Sequence, residues 1–152
     1  MSDAIQFAQR TDKASIEAGD QFCPKFDADG LIAAMAIDAD SSEPLMLAYM
    51  NQDSLRQTLE FGEAVYWSRS RQEIWHKGAT SGHVQEIVEI RTDCDQDALI
   101  LRVRQKGAGA CHTGHRSCFF RSVGKPGPDG VPALETTGEG RSFDPDSVYK
   151  KA

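Results

Sequence analysis

The sequence has no hydrophobic run long enough to cross a membrane and no secretory leader at its start. Its longest apolar stretch, residues 31–37, is far shorter than the roughly 20 residues that a membrane-spanning helix needs. The first ten residues lack a basic segment followed by an apolar core, so they do not look like a signal peptide. We therefore expect a soluble protein of the cytoplasm.

Positive charge is also scarce. The chain has 17 Lys and Arg against 23 Asp and Glu, and its formal net charge is −6. An acidic chain is a poor general binder of polyanions, which argues against a nucleic-acid partner. A phosphorylated small molecule is still allowed, because a few local cations suffice to hold it. The length of 152 residues fits a single domain, 1–152.

Cysteines are few, and no two of the four form a Cys-x-x-Cys pair. In a reducing cytoplasm they are metal ligands, catalytic groups or buried thiols before they are disulfides. Cys111 and Cys118 enclose His112 and His115, and Cys94 is the obvious third thiolate. Three thiolates with one open position are typical of a catalytic Zn²⁺ site, in which the histidines would be rival ligands or acid/base groups. The alternative is that the cysteines are small buried hydrophobic residues.

Strand patterns dominate residues 24–121. In residues 99–105, Leu99, Leu101 and Val103 alternate with more polar positions. Further strands are predicted at residues 45–50, 65–68 and 84–90, and short helices at residues 11–19 and 51–61. The second helix has Asn51 as its cap and Gly62 as its end. We expect a loop from Gly124 onward, where prolines and glycines crowd together. The pattern predicts a β-rich α+β domain with twisted antiparallel sheets and a few short helices.

A cluster of aspartates, Asp93, Asp95 and Asp97, lies between two predicted strands. In an extended backbone these three carboxylates would point one way and Cys94 the other. Carboxylates crowded on one side repel each other unless a cation neutralises them, and oxygen ligands suit Mg²⁺ or Ca²⁺. The alternative is a solvated acidic turn.

A basic and aromatic segment follows the predicted strand at residues 65–68. Its cations are Arg69, Arg71 and Lys77, and arginine matches phosphate oxygens with two parallel donors. Residues 78–82 add glycines and hydroxyls that can donate to an anion, and Trp67 or Trp75 could stack on a base. We favour phosphate binding over the alternative, a strand pair with packed tryptophans and solvated arginines.

Several of these segments together resemble the phosphoribosyl-AMP cyclohydrolase family of histidine biosynthesis. The resemblance lies in residues 66–71, 75–78, 81–82, 93–97, 111–114 and 117–119, in that order. Residues 45–51 are similar as well, and the resemblance covers about residues 26–121, which leaves residues 1–20 and 124–152 as peripheral extensions. Several spaced motifs in one order are far more specific than a single pattern.

The resemblance implies a hydrolase that opens the adenine ring of phosphoribosyl-AMP at its N1–C6 bond, giving the formimino-aminoimidazole carboxamide ribonucleotide. It implies an intimate homodimer with active sites at the interface. Zinc would be held by Cys94 of one subunit with Cys111 and Cys118 of the other, and magnesium by Asp93, Asp95 and Asp97. We expect one activity only, because little chain follows Arg121.

The reaction assigns further roles. His112 is our first choice for the group that moves protons, since it lies next to Cys111. The substrate-binding residues are predicted to be Arg69, Arg71, Trp75, Lys77, Ser81 and Gly82. The rival interpretations are a magnesium-dependent phosphohydrolase with structural cysteines, and a zinc-stabilised nucleotide-binding module without turnover.

Overall fold

The chain folds around a six-stranded mixed sheet in a computed structural model that describes residues 4–107, 109–111 and 113–137. The helices are α1 (Lys13–Ala18) and α2 (Gln52–Phe61). The sheet is formed by β1 (Ile32–Asp38), β2 (Pro44–Met50), β3 (Val65–Ser68), β4 (Glu73–His76), β5 (Gln85–Thr92) and β6 (Ala98–Gln105). Strands β7 (Arg121–Pro126) and β8 (Pro132–Thr136) form a separate hairpin. No helix in the described parts is long and apolar enough to cross a membrane.

The strand order is β4-β3-β2-β1-β6-β5, and one pair in it is parallel. Strand β1 runs parallel to β6, with Ala34 beside Leu99 and Asp38 beside Val103, whereas the other neighbours are antiparallel. The α+β, β-rich prediction is confirmed, but the purely antiparallel sheet was wrong. A parallel pair needs a crossover, and here the crossover is the whole chain from β2 to β5.

The sheet curls until its two ends approach each other. The Ala64 amide, just before β3, donates to the Gln85 carbonyl at 2.9 Å, and the Ile87 amide donates to the Gly62 carbonyl at 2.8 Å. A bridge therefore joins the start of β3 to β5, although they are far apart in the strand order. The curl places the β3–β4 hairpin close to the end of β6.

One face of the sheet is buried and forms the core. The predicted alternation of β6 is confirmed, because Leu99, Leu101 and Val103 are buried. Helix α2 forms within its predicted bounds, and its Leu55 is buried in the core. The Asn51 side chain accepts from the Ser54 amide at 2.8 Å, and Gly62 ends the helix at φ +72°.

The opposite face, which we call the open face, is apolar and exposed. Residues paired across neighbouring strands share a face, and the pairings place Leu47 beside Met35, Met35 beside Ile100, and Tyr49 beside Trp67. Leu47 is 48% exposed and Ile100 is 39% exposed. A connected apolar surface of this kind is more often an interaction site than a surface that stays in contact with water.

The loop predicted from Gly124 was wrong for residues 124–136, where β7 and β8 form a hairpin, and residues 138–152 lie outside the described residues. Val123 pairs with Leu134, and the two prolines at the strand ends, Pro126 and Pro132, pair with each other. Proline lacks only its own donor, so it is tolerated at a strand end next to a turn. The turn is closed at Gly130, which has φ +80°.

Candidate active site

The site is built around a tight loop at residues 110–118. The Ala110 amide donates to the Arg116 carbonyl at 2.9 Å, so the loop closes on itself, and the Cys118 amide donates to the Leu45 carbonyl at 2.7 Å, which fixes the loop to β2. These bonds place Cys111 and Cys118 near each other, so that the charge of one thiol acts on the other. The predicted pairing of these two cysteines is therefore present in the fold.

The two thiols differ in exposure. Cys111 is 4% exposed, whereas Cys118 is exposed on the wall of a cavity. Surrounding protein atoms and the neighbouring Cys111 thiol raise the pKa of Cys118 to about 12, and the Lys77 ammonium partly offsets this. Without a cation Cys118 keeps its proton at neutral pH, and both thiols are free of disulfides.

Lys77 lies beside this pair and is itself buried, at 4% exposure. Its Nζ donates to the Ala110 carbonyl at 2.9 Å and lies 5.5 Å from the centre of the Trp75 ring. Burial lowers the pKa of Lys77, and the charges of Cys118 and Cys111 act in the opposite direction. Lysine is almost never fully buried without partners, so this ammonium is part of the site rather than a surface charge.

A cavity of about 420 Å³ opens onto the Cys118 thiol. Its walls come from β2, the β3–β4 hairpin, the turn that follows, and the cysteine loop. The lining residues are Met46, Arg71, Trp75, His76, Lys77, Gly78, Ala79, Thr80, Ser81, Ala110 and Cys118. The structure thus brings Arg71, Trp75, Lys77 and Ser81 to one cavity with a cysteine, as their predicted roles require.

The turn at residues 77–83 needs glycine at two positions. Gly78 and Gly82 have φ +83° and +81°, and the Gly82 amide donates to the Gly78 carbonyl at 2.8 Å. A Cβ on Gly78 would lie 2.2 Å from the Val84 nitrogen. The backbone therefore turns where a larger residue would not fit, and it exposes Thr80 beside the half-buried Ser81.

Arg69 lies away from this cavity. Its guanidinium stacks 4.0 Å from the centre of the Tyr49 ring, on the open face. It lines a second cavity of about 350 Å³ with Asp29, Leu31, Asn51, Trp67 and Gln72. Arg69 and Arg71 both lie in the turn of the β3–β4 hairpin, and their side chains point to different cavities. The strand-pair arrangement that we considered for this segment does form, and it coexists with the cavity.

The three aspartates cluster as predicted, but the extended backbone assumed for them was wrong. Residues 93–96 form the turn of the β5–β6 hairpin, and Asp93 Oδ1 accepts from the amides of Asp97 and Ala98 at 2.9 and 3.2 Å. One oxygen from each of Asp93, Asp95 and Asp97 lies within 4.8 Å of the others. Hydrogen bonds with Asp93 and Asp95 and their negative charge raise the pKa of Asp97 to about 6. The three exposed carboxylates lie close enough to bind one cation.

The aspartate turn is anchored by a residue that sequence reasoning missed. Gln96 is 6% exposed, with Oε1 accepting from the Cys23 amide at 2.8 Å and Nε2 donating to the Ile16 carbonyl at 2.9 Å. It adopts φ +57°, which the turn requires. The N-terminal segment is therefore bound to this turn, while Cys94, two residues earlier, is exposed.

Cys94 does not join the other two cysteines within one chain. Among residues 4–107, 109–111 and 113–137, the aspartates are the only group of three or more Cys, His, Asp or Glu spaced for a metal ion. The His115 ring reaches the Cys111 thiol through Thr113, whose Oγ1 lies 2.9 Å from the Cys111 Sγ and 3.0 Å from His115 Nδ1. His112, our predicted proton-transfer residue, lies outside the described residues.

Comparison with known proteins identifies the family. A sequence model described as phosphoribosyl-AMP cyclohydrolase matches residues 46–120. A phosphoribosyl-AMP cyclohydrolase from Rhodopseudomonas palustris strain TIE-1 is 52% identical over 136 residues, which cover 90% of this chain and 89% of that protein. Proteins of the same name from Bradyrhizobium diazoefficiens and Brucella anthropi are 54% and 60% identical and cover 90% and 76% of this chain, and 95% and 83% of their own lengths.

These findings make the chain an enzyme of the hydrolase class, acting in histidine biosynthesis. It belongs to the phosphoribosyl-AMP cyclohydrolase family. The resemblance seen in its separate motifs is thereby confirmed across most of the chain.

Proposed function

We propose that this chain, as a homodimer, uses zinc to hydrolyse the N1–C6 bond in the adenine ring of phosphoribosyl-AMP. The observation that carries the proposal is the neighbouring pair Cys111 and Cys118. Cys118 lines a cavity whose other walls hold cations and a glycine turn. We also propose that the protein lies in the cytoplasm, because reducing conditions there keep the thiols available for a metal.

The donor set fits zinc. Thiolates prefer Zn²⁺ to hard cations, and binding the ion deprotonates them in spite of the raised pKa of Cys118. Two thiolates are too few for a catalytic site, which has three protein ligands. A third must come from Cys94, from His112 or from outside the chain, and the first of these can be judged from the sheet register.

The register separates Cys94 from the other two cysteines. Cys118 bonds to Leu45, which lies level with Leu101–Arg102 in β6, two strands away. At about 3.3 Å per residue and about 4.8 Å per strand, Ala98 is roughly 14 Å from that position, and the Cys94 turn lies beyond Ala98. Thiolates on one zinc lie within about 4.6 Å of each other, because each Zn–S bond is about 2.3 Å. This separation supports a zinc site in which Cys94 comes from a second chain.

The open face supports the homodimer. It presents Leu47, Met35, Ile100 and Ile74 on one side of the sheet, and it ends at the β5–β6 hairpin that carries Cys94. Burying such a face against a second copy removes apolar surface from water. A two-fold pairing would bring each Cys94 toward the partner and produce two equivalent sites.

The reaction adds water across the C6–N1 bond. Oxygen goes to C6, one proton goes to N1 as the bond breaks, and the other goes to the exocyclic nitrogen, which becomes the carboxamide nitrogen. A zinc ion bound at the cysteines would activate the water at neutral pH. Arg71, Ser81 and the turn at residues 78–82 would hold a phosphate, and the Trp75 ring would offer an apolar surface to the base. Asp93, Asp95 and Asp97 would hold magnesium near the second phosphate. His112 remains our prediction for the proton-transfer group.

The test follows ultraviolet absorbance with phosphoribosyl-AMP, because ring opening changes the chromophore. Release of phosphate would leave the spectrum unchanged and would favour the magnesium phosphohydrolase, and binding without turnover would favour the nucleotide-binding module. Cys111→Ser and Cys118→Ser should lose both bound zinc and turnover. Cys23→Ser is the matched control, since Cys23 is buried outside the site, and it should keep its zinc. Full activity in either loop variant after dialysis against a chelator would refute the zinc assignment.

A further inference from the structure

Lys77 is a buried cation fixed at both ends. Its backbone amide donates to the Ala64 carbonyl at 3.1 Å, which ties it to the start of β3. Its Nζ donates to the Ala110 carbonyl at 2.9 Å. With 4% exposure, the side chain spans from the hairpin to the cysteine loop with little freedom to move. This buried and bonded position differs from that of an exposed lysine that binds a phosphate.

The acceptor of this bond is the residue that closes the cysteine loop. Ala110 donates through its amide to Arg116 and accepts through its carbonyl from Lys77, so both of its polar backbone groups are used. Cys111 follows directly and is itself buried. Any movement of the Lys77 ammonium therefore moves the backbone that carries a predicted metal ligand.

The charge of Lys77 also faces the thiols. Lys77 lines the same cavity as Cys118, and its Nζ bonds to the carbonyl of the residue that precedes Cys111. Three thiolates around Zn²⁺ carry one negative charge more than the ion neutralises, and a buried excess charge is costly unless it is paired. A fixed ammonium beside two of the thiolates supplies the opposite charge.

We propose that Lys77 is a positioning residue for the metal loop, which holds the Ala110–Cys111 backbone and balances the charge of the zinc-bound thiolates. This inference rests on the proposed zinc site, and it gives Lys77 a different role from the phosphate contact that the sequence suggested. Groups that orient metal ligands without touching the metal typically contribute about 10-fold to 100-fold in metal affinity. Lys77 should contribute in that range even when no substrate is present.

The experiment measures zinc affinity of the full-length protein by competition with a chromophoric chelator, without substrate. Lys77→Met keeps the length of the side chain but removes its charge and its donor. Arg71→Met is the matched control, because Arg71 is a cation on the same cavity that bonds to Ser68 rather than to the cysteine loop. Lys77→Arg tests rescue by another cation, and Lys77→Gln replaces the methionine variant if circular dichroism shows that the latter is not folded.

We expect Lys77→Met to bind zinc about 10-fold to 100-fold more weakly, Arg71→Met to bind it as the wild type does, and Lys77→Arg to recover part of the loss. Cobalt bound in place of zinc should show altered thiolate charge-transfer absorbance in Lys77→Met only. Wild-type zinc affinity in Lys77→Met, with only a raised KM for phosphoribosyl-AMP, would overturn the inference and restore the phosphate role. A wild-type protein that binds no zinc would overturn the proposed zinc site and this inference together.

Discussion

The two arginines of the basic segment should contribute unequally to substrate binding. Arg71 lines the cavity with the thiols, whereas Arg69 stacks on Tyr49 beside the second cavity. If the substrate binds in the first cavity of the same chain, Arg71→Ala should raise KM and Arg69→Ala should raise it less. The difference follows from where the β3–β4 hairpin directs each side chain, since the two residues are only two positions apart.

The size of the effect follows from the exposure of Arg71. A hydrogen bond to a charged group contributes about 1.5–3 kcal/mol. The Arg71 side chain is 58% exposed and already faces Glu73 at 3.6 Å, and solvent screening weakens such interactions. We therefore expect the lower end of the range, about 1.5 kcal/mol, which corresponds to a rise in KM of about 10-fold.

The assay is steady-state turnover by ultraviolet absorbance, with kcat and KM fitted separately. Arg104→Ala serves as the control, because Arg104 is an exposed arginine on β6 that faces Glu86 at 3.8 Å, and its KM should match that of the wild type. Unchanged saturation in Arg71→Ala, together with a lower melting temperature, would support packing instead of phosphate binding. A larger loss in Arg69→Ala than in Arg71→Ala would refute our assignment of the cavity.

Three further predictions concern the metal turn and the core. Asp95→Asn should weaken the dependence on added Mg²⁺ and raise the apparent KM while zinc content, measured by elemental analysis, stays the same; lost zinc with intact magnesium dependence would reverse the two sites. The pKa of Asp97 is raised to about 6, so below that pH Mg²⁺ must displace a proton from Asp97. Mg²⁺ affinity should therefore fall about tenfold per pH unit below pH 6. An Asp97→Asn variant that kept this pH dependence would contradict the assignment. Tyr66→Phe removes the buried bond to Gln85 Oε1 at 2.6 Å and should lower the free energy of unfolding by about 1–3 kcal/mol, whereas Tyr49→Phe on the open face should have a smaller effect in the same denaturant titration.

Local signals made much of the fold predictable. The alternation in β6 and the capped helix α2 depend on residues close together in the chain, and both are present. The parallel pairing of β1 with β6 joins residues about 65 positions apart, and no local sequence pattern predicts a contact over that separation. The β7–β8 hairpin was not predicted, because the prolines and glycines in its sequence are typical of loops.

The site shows the same division. Grouping Cys111 with Cys118 and the three aspartates with one another succeeded, because these residues are close in sequence. The aspartates converge through a hairpin turn, which brings alternate side chains together as effectively as the strand we had assumed. The burial of Lys77 and the anchoring of Gln96 depend on partners 33 and up to 80 residues away. The only sequence signal for Gln96 was that an amide residue lies between carboxylate residues.

Complementation between two inactive chains tests the shared site most directly. Cys94→Ser and Cys111→Ser protein are mixed under conditions that allow subunits to exchange, and turnover of phosphoribosyl-AMP is measured. In a mixed dimer with shared sites, both substitutions fall in one site and the other site keeps all three cysteines. Random pairing makes half the dimers mixed, so activity should return to about a quarter of the wild-type value. If each site is built from one chain, every site carries a substitution, and an absence of activity after verified exchange would contradict the account.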